Sequence, residues 1–196
     1  HDGWTETLLQ SELKGKEVSF RNMSLSGDRP NQYPRSRGFT PMGQYLQHVK
    51  ADVVFAMFGY NESFSGSEAA DSYKKLLIDF VAKIRSYKPN GKDFPRIVLF
   101  SPTAFEDLKD RNLPRGKAHN KNLSAFAKAT KDAAREAGVA YVDLFGPTLK
   151  LYEQQKEPLT LNGVHLNELG NKNLGEVITQ ALLETQTTAD PSQEGL

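Results

Sequence analysis

The sequence predicts an α/β fold, a doubly wound parallel sheet held between two layers of helices. Two observations carry that expectation. Short apolar runs bounded by turn residues alternate with longer segments whose apolar residues recur at helical spacing. Two of those runs, 51–59 and 97–100, are apolar almost throughout, which suits strands covered on both faces. A chain of 196 residues, 38% of them apolar, has the size of one domain and enough apolar surface to bury a core.

Trp4, Leu8, Leu9 and Leu13 mark an opening helix that ends near Gly15. Residues 17–22 are read as a strand with Val18 and Phe20 on one face. Periodicity stops from 24 to 43, where Asp28, Pro30, Pro34 and Pro41 predict a long surface loop. The strand at 51–59 follows. Ser67 then caps a helix whose inward stripe is Tyr73, Leu76, Leu77, Phe80, Val81, Ile84 and Tyr87, closed by Pro89 and Gly91. After the strand at 97–100 comes a polar loop to about 121, whose charged run 106–115 is read as solvated. A helix carrying Leu123, Phe126, Ala127, Thr130 and Ala134 inward runs to Ala137, and Gly138 closes it. A strand at 139–144, a short helix at 147–155 and a last helix marked by Leu174, Val177, Ile178, Ala181 and Leu182 complete the order. One domain is expected over 1–183, with 184–196 as a flexible tail or linker.

Composition excludes several classes. The 25 basic and 24 acidic side chains leave a net charge of +1, which argues against a nucleic-acid binder or a polybasic membrane-surface protein. No apolar run approaches the roughly 20 residues that span a bilayer. Without cysteine there are no disulfides, thiolate nucleophiles or Cys-type metal sites. His1, His48 and His119 lack metal-ligand spacing, and no phosphate-cradling glycine motif occurs, so no metal or other cofactor is expected.

Ligands of such sheets gather beyond the carboxyl ends of the strands. Three segments fall there: Ser26-Gly27-Asp28 within 22–28, Gly59-Tyr60-Asn61-Glu62, and Asn162-Gly163-Val164-His165 before the last helix. A glycine N–H and an asparagine carboxamide can both point at a developing oxyanion, and a loop histidine can move the proton. Each residue alone has a plain structural reading: Gly27 as a turn glycine, Asn61 as a cap, His165 as a structural histidine. Their joint order at strand ends favours a site. Asp143 is read as a loop anchor, and Arg35 and Arg37 as members of a solvated loop.

These segments resemble the SGNH (GDSL-type) hydrolases, whose second block is similar to 26–28, third block (Gly-x-Asn-Asp) to 59–62, and last block (Asp-x-x-His) to 162–165. The resemblance covers about residues 4–183 and is that of a divergent bacterial branch with Asn before the histidine. It implies a flavodoxin-like strand order, oxyanion roles for Gly27 and Asn61, a catalytic base in His165 oriented by Asn162, and Ser26, Asp28 and Glu62 beside the substrate. It also implies a serine-type esterase or acylhydrolase acting on small acyl esters, acetyl esters and carbohydrate esters included, in a secreted or periplasmic setting.

Two departures qualify it. The family's block with the nucleophilic serine, on a first central strand, is missing from this sequence, and that strand is expected upstream of His1. Asn162 stands where the family has Asp, so a Ser–His dyad, or a carboxylate such as Glu62 or Asp28, would have to compensate. The competing expectation is a non-catalytic ligand- or carbohydrate-binding domain of a larger protein. A flavodoxin-like nucleotide or flavin binder ranks third, for want of a phosphate motif.

Overall fold

Tyr73, Leu77, Phe80, Val81 and Ile84 recur at helical spacing, and all five are buried along one stripe of a single helix, α4 (Ala70–Ser86). That stripe is one wall of the main core. The computed structural model describes residues 3–187. Its other helices are α1 (Trp4–Glu12), α2 (Met42–His48), α3 (Tyr60–Ser63), α5 (Gly116–Ala137), α6 (Phe145–Gln154) and α7 (Glu168–Thr187). Its strands are β1 (Val53–Met57), β2 (Arg96–Phe100) and β3 (Ala140–Val142), all parallel, in the order β1-β2-β3.

Strand parity sorts the side chains between two cores. Ala56, Ile97 and Leu99 face α4 and the Phe126, Ala129, Ala133 and Ala134 stripe of α5. Val98, Phe100 and Val142 face the other way, onto Leu174, Val177 and Ile178 of α7, and α1 packs along α7 outside them. The sheet therefore lies between two helical layers, as expected from the sequence.

β1 departs from the reading of a strand covered on both faces. Val53, Phe55 and Met57 lie on the α7 side of the sheet, yet they are 46, 38 and 50% exposed. Among the described residues, β1 also pairs on one side only, leaving its other edge open. Residues 17–22 form no strand: they run without a ladder, and Val18 and Phe20 are half-buried. Alternation alone does not make a strand when no neighbour offers its backbone groups.

Several boundaries move for identifiable reasons. α2 arises inside the expected loop, where Pro41 leads into it and Leu46 anchors it in the core. α5 starts at Gly116, well before 121, because its polar first turns hold the preceding loop: Asn120 pairs with both the N–H and the C=O of Phe105, at 2.7 and 2.9 Å. α7 starts at Glu168 because the Asn167 side chain caps it, accepting from the Gly170 N–H at 2.8 Å. α7 continues to Thr187, past the domain boundary expected at 183; residues 188–196, the rest of the expected tail, lie outside the described residues. Among the described residues, no helix is long and apolar enough to cross a membrane.

Candidate active site

The loops after β1 and β2, the segment 24–35 and the turn before α7 meet through a chain of specific contacts. At the end of β1, Gly59 leads directly into α3. Glu62 closes that helical turn by accepting from the Gly59 N–H at 3.0 Å. Its carboxyl is only 8% exposed, and burial pushes its pKa up. Glu62, expected beside the substrate, thus has its side chain turned inward, and what it fixes is the turn that presents Asn61.

Asn61 is exposed, and its Nδ2 reaches the backbone oxygen of Asp28 in a long contact of 3.5 Å. Gly27 sits one residue earlier in the turn 25–28, closed by the Asp28 N–H donating to the Leu25 oxygen. Its φ of +86° is the left-handed conformation that a turn glycine supplies. Among the described residues nothing accepts from the Gly27 N–H. A free backbone N–H and a side-chain NH₂ therefore lie in adjacent segments, the donor pair an oxyanion requires. Ser26 is exposed in the same turn.

Asp28 stabilises this turn rather than facing outward. It pairs bidentately with Arg35, at 2.5 and 2.8 Å, and accepts from the Leu25 N–H at 3.0 Å. The Arg35 guanidinium holds the Asp28 carboxyl below its ordinary value. Arg35, read as part of a solvated loop, is instead an internal clamp that also lies over the rings of Tyr33 and Phe39. With Asp28 and Glu62 so engaged, neither carboxylate contacts His165 through any hydrogen bond. Asp143 accepts from the Phe145 and Gly146 N–H groups at the start of α6, in keeping with an anchoring role.

The second cluster is the turn Asn162–His165. Asn162 Oδ1 accepts from the backbone N–H groups of Val164 (3.2 Å) and His165 (3.0 Å), and lies 3.1 Å from His165 Nδ1. Two backbone donors identify that atom as the oxygen of the carboxamide. An oxygen that only accepts requires Nδ1 to carry the proton. The neutral imidazole then keeps its lone pair on Nε2, the other ring nitrogen of an exposed residue. Asn162 thus sets the tautomer of the imidazole without supplying a negative charge.

Ring contacts join the clusters. Phe105, which follows β2, packs under Gly163 and stacks on His119 of α5, with ring centroids 4.8 Å apart. His119 meets Phe64 edge-on, and Phe64 meets Tyr60, next to Asn61. Asn61 contacts Asp28, the neighbour of Gly27, Asn162 contacts His165, and these rings carry the link between the two groups. Glu106, inside the run read as solvated, is in fact buried at 5% exposure. Among the described residues, no group of three or more His, Cys, Asp or Glu side chains is arranged to hold a metal ion.

Comparison with known proteins defines the class. Residues 1–172 match the GDSL-like lipase/acylhydrolase family, and the chain belongs to it. A native aryl esterase from M. smegmatis has the same fold: TM-score 0.61 and 17% identity, covering 94% of this chain and 86% of that one. An α/β hydrolase from the metagenome of Lake Arreo, Spain, is similar at TM-score 0.51 and 19% identity, covering 73% of this chain and 63% of its own. A mutant acetyl-xylooligosaccharide esterase from Geobacillus stearothermophilus gives TM-score 0.50 and 18% identity, covering 70 and 60%. This chain therefore spans about 60% of the length of those acetylxylan esterase chains. No curated protein matches.

Proposed function

We propose that this chain belongs to a serine-type ester hydrolase acting on small acyl esters, acetyl esters of carbohydrates among them. His165 Nε2 takes the proton as a serine oxygen attacks the ester carbonyl, and the Gly27 N–H and Asn61 Nδ2–H₂ receive the resulting oxyanion. Collapse of the tetrahedral intermediate expels the alcohol, protonated by His165, and water repeats the sequence on the acyl-enzyme. The open edge of β1 is where a strand carrying the nucleophilic serine would pair. One observation carries the reading: the Asn162 oxygen that takes two backbone N–H groups holds His165 with Nδ1 protonated and Nε2 free.

Two outcomes test the assigned roles. Asn61→Ala removes one of two oxyanion donors, and kcat for p-nitrophenyl acetate is expected to fall by about 10²–10³ with little change in KM. Asn162→Asp keeps the acceptor geometry and adds the missing charge. A carboxylate at this distance raises a histidine pKa by about 1–3 units, and the expected result is a kcat gain of about tenfold or more. The acidic limb of the pH–rate profile should move to higher pH in the same variant. A loss of activity in Asn162→Asp would remove Asn162 from its orienting role.

The uncharged Asn162 also favours the second reading, a carbohydrate-binding domain without catalysis. Labelling of the full-length protein with a fluorophosphonate separates the two: a serine adduct supports the hydrolase, and complete inertness supports the binding domain.

A further inference from the structure

The turn that carries His165 is held from beneath by a residue outside all three segments of the candidate site. Glu106 follows β2 on the buried stretch that includes Ala104 and Phe105. Both of its carboxylate oxygens accept from the Leu159 N–H, at 3.0 and 3.1 Å. Oε2 also accepts from the Thr160 N–H at 2.7 Å and from the Thr160 hydroxyl at 2.6 Å. The hydroxyl, its proton given to Glu106, accepts from the Gly163 N–H at 2.9 Å. The Glu106 backbone N–H closes the circuit by donating to the Gly163 oxygen at 3.0 Å.

This is a complete set of partners in a dry place. Leu159 and Thr160 are 1 and 3% exposed, so water is not at hand to replace the carboxylate. Removing it would orphan two buried backbone N–H groups and release the hydroxyl that orients Gly163, two residues before His165. Phe105 packs against Gly163 from the neighbouring position, so one short stretch after β2 grips the turn through both polar and apolar contact.

We infer that Glu106 is a positioning residue for His165: its carboxylate fixes 159–163 against the loop after β2, and through that segment sets where the imidazole stands over the sheet edge. The inference rests on His165 being the general base. Glu106 acts at a distance from the reacting atoms, through the backbone it holds.

Glu106→Gln keeps the size of the side chain but replaces one accepting oxygen with an NH₂ donor, which faces the Leu159 N–H whichever way the amide is turned. In the full-length protein, amide exchange across 157–166 is expected to accelerate about tenfold or more, while β2 at 96–100 keeps its protection. For p-nitrophenyl acetate, kcat should fall about tenfold at nearly constant KM, the pattern of a displaced catalytic group rather than lost substrate binding. Glu106→Ala should exceed both effects where it folds. Unchanged exchange at 157–166 in Glu106→Gln overturns the inference. So does faster exchange with wild-type kcat, which would make Glu106 a purely structural anchor. His165→Ala serves as the control: if it retains hydrolysis, the functional reading fails, whereas an inactive His165→Ala beside a fully active Glu106→Gln removes the inference alone.

Discussion

Replacement of His165 by alanine is expected to lower kcat for p-nitrophenyl acetate by about 10⁴-fold or more, with the folding stability left almost intact. The two halves of that expectation have separate causes. In the proposed mechanism the imidazole takes the nucleophile's proton and returns it to the leaving alcohol, so its loss removes both base and acid from the cycle. The turn itself does not need the ring. Asn162 still accepts from the Val164 and His165 backbone N–H groups, and the side chain removed is exposed. Thermal unfolding should accordingly change by no more than the about 0.5 kcal/mol usual for an exposed position. Retained hydrolysis in His165→Ala would take the base elsewhere.

Gly163→Ala is expected to act in the opposite manner, on structure first. Gly163 has a φ of +89°, which L side chains rarely adopt, and an added Cβ would run into the Phe105 ring and stand 2.8 Å from the Glu106 carbonyl oxygen. Nor can the residue simply move, because its N–H is held by Thr160 and its C=O by Glu106. Strain of this backbone type together with overpacking costs about 3 kcal/mol or more. For a domain of this size that corresponds to a fall in Tm of about 6–12 °C. Because the displaced segment leads directly into Val164 and His165, hydrolysis should fall in the fraction that remains folded. A Gly163→Ala protein with wild-type melting and activity would show that the turn is not packed as described.

The sequence made the layers legible because helices such as α4 bury one continuous stripe, and a stripe survives in the order of residues. The strand at 17–22 failed for the complementary reason: Val18 and Phe20 alternate properly, but pairing depends on a neighbour that local pattern does not encode. β1 misled in its burial, since a run apolar on both faces says nothing about whether both faces are covered; Val53, Phe55 and Met57 remain open to solvent. Short blocks at strand ends single out Gly27, Asn61 and His165 as candidates, whereas the tautomer of His165 required the two backbone donors on Asn162.

Charged residues were the least legible. Arg35 finds Asp28 only seven positions away, yet nothing in a proline-rich loop announces that the pair is internal. Glu106 lies 53 and 54 positions from its partners Leu159 and Thr160, inside a run whose other charges point outward. A buried carboxylate that takes only backbone and hydroxyl donors has no compositional signature.

The most direct test of the hydrolase assignment is mass spectrometry of the full-length protein after treatment with a fluorophosphonate. The expected result is a single serine adduct, absent when His165 is alanine and weakened when Asn61 is alanine. Ester hydrolysis without any serine adduct, or an adduct that forms equally well without His165, would contradict it.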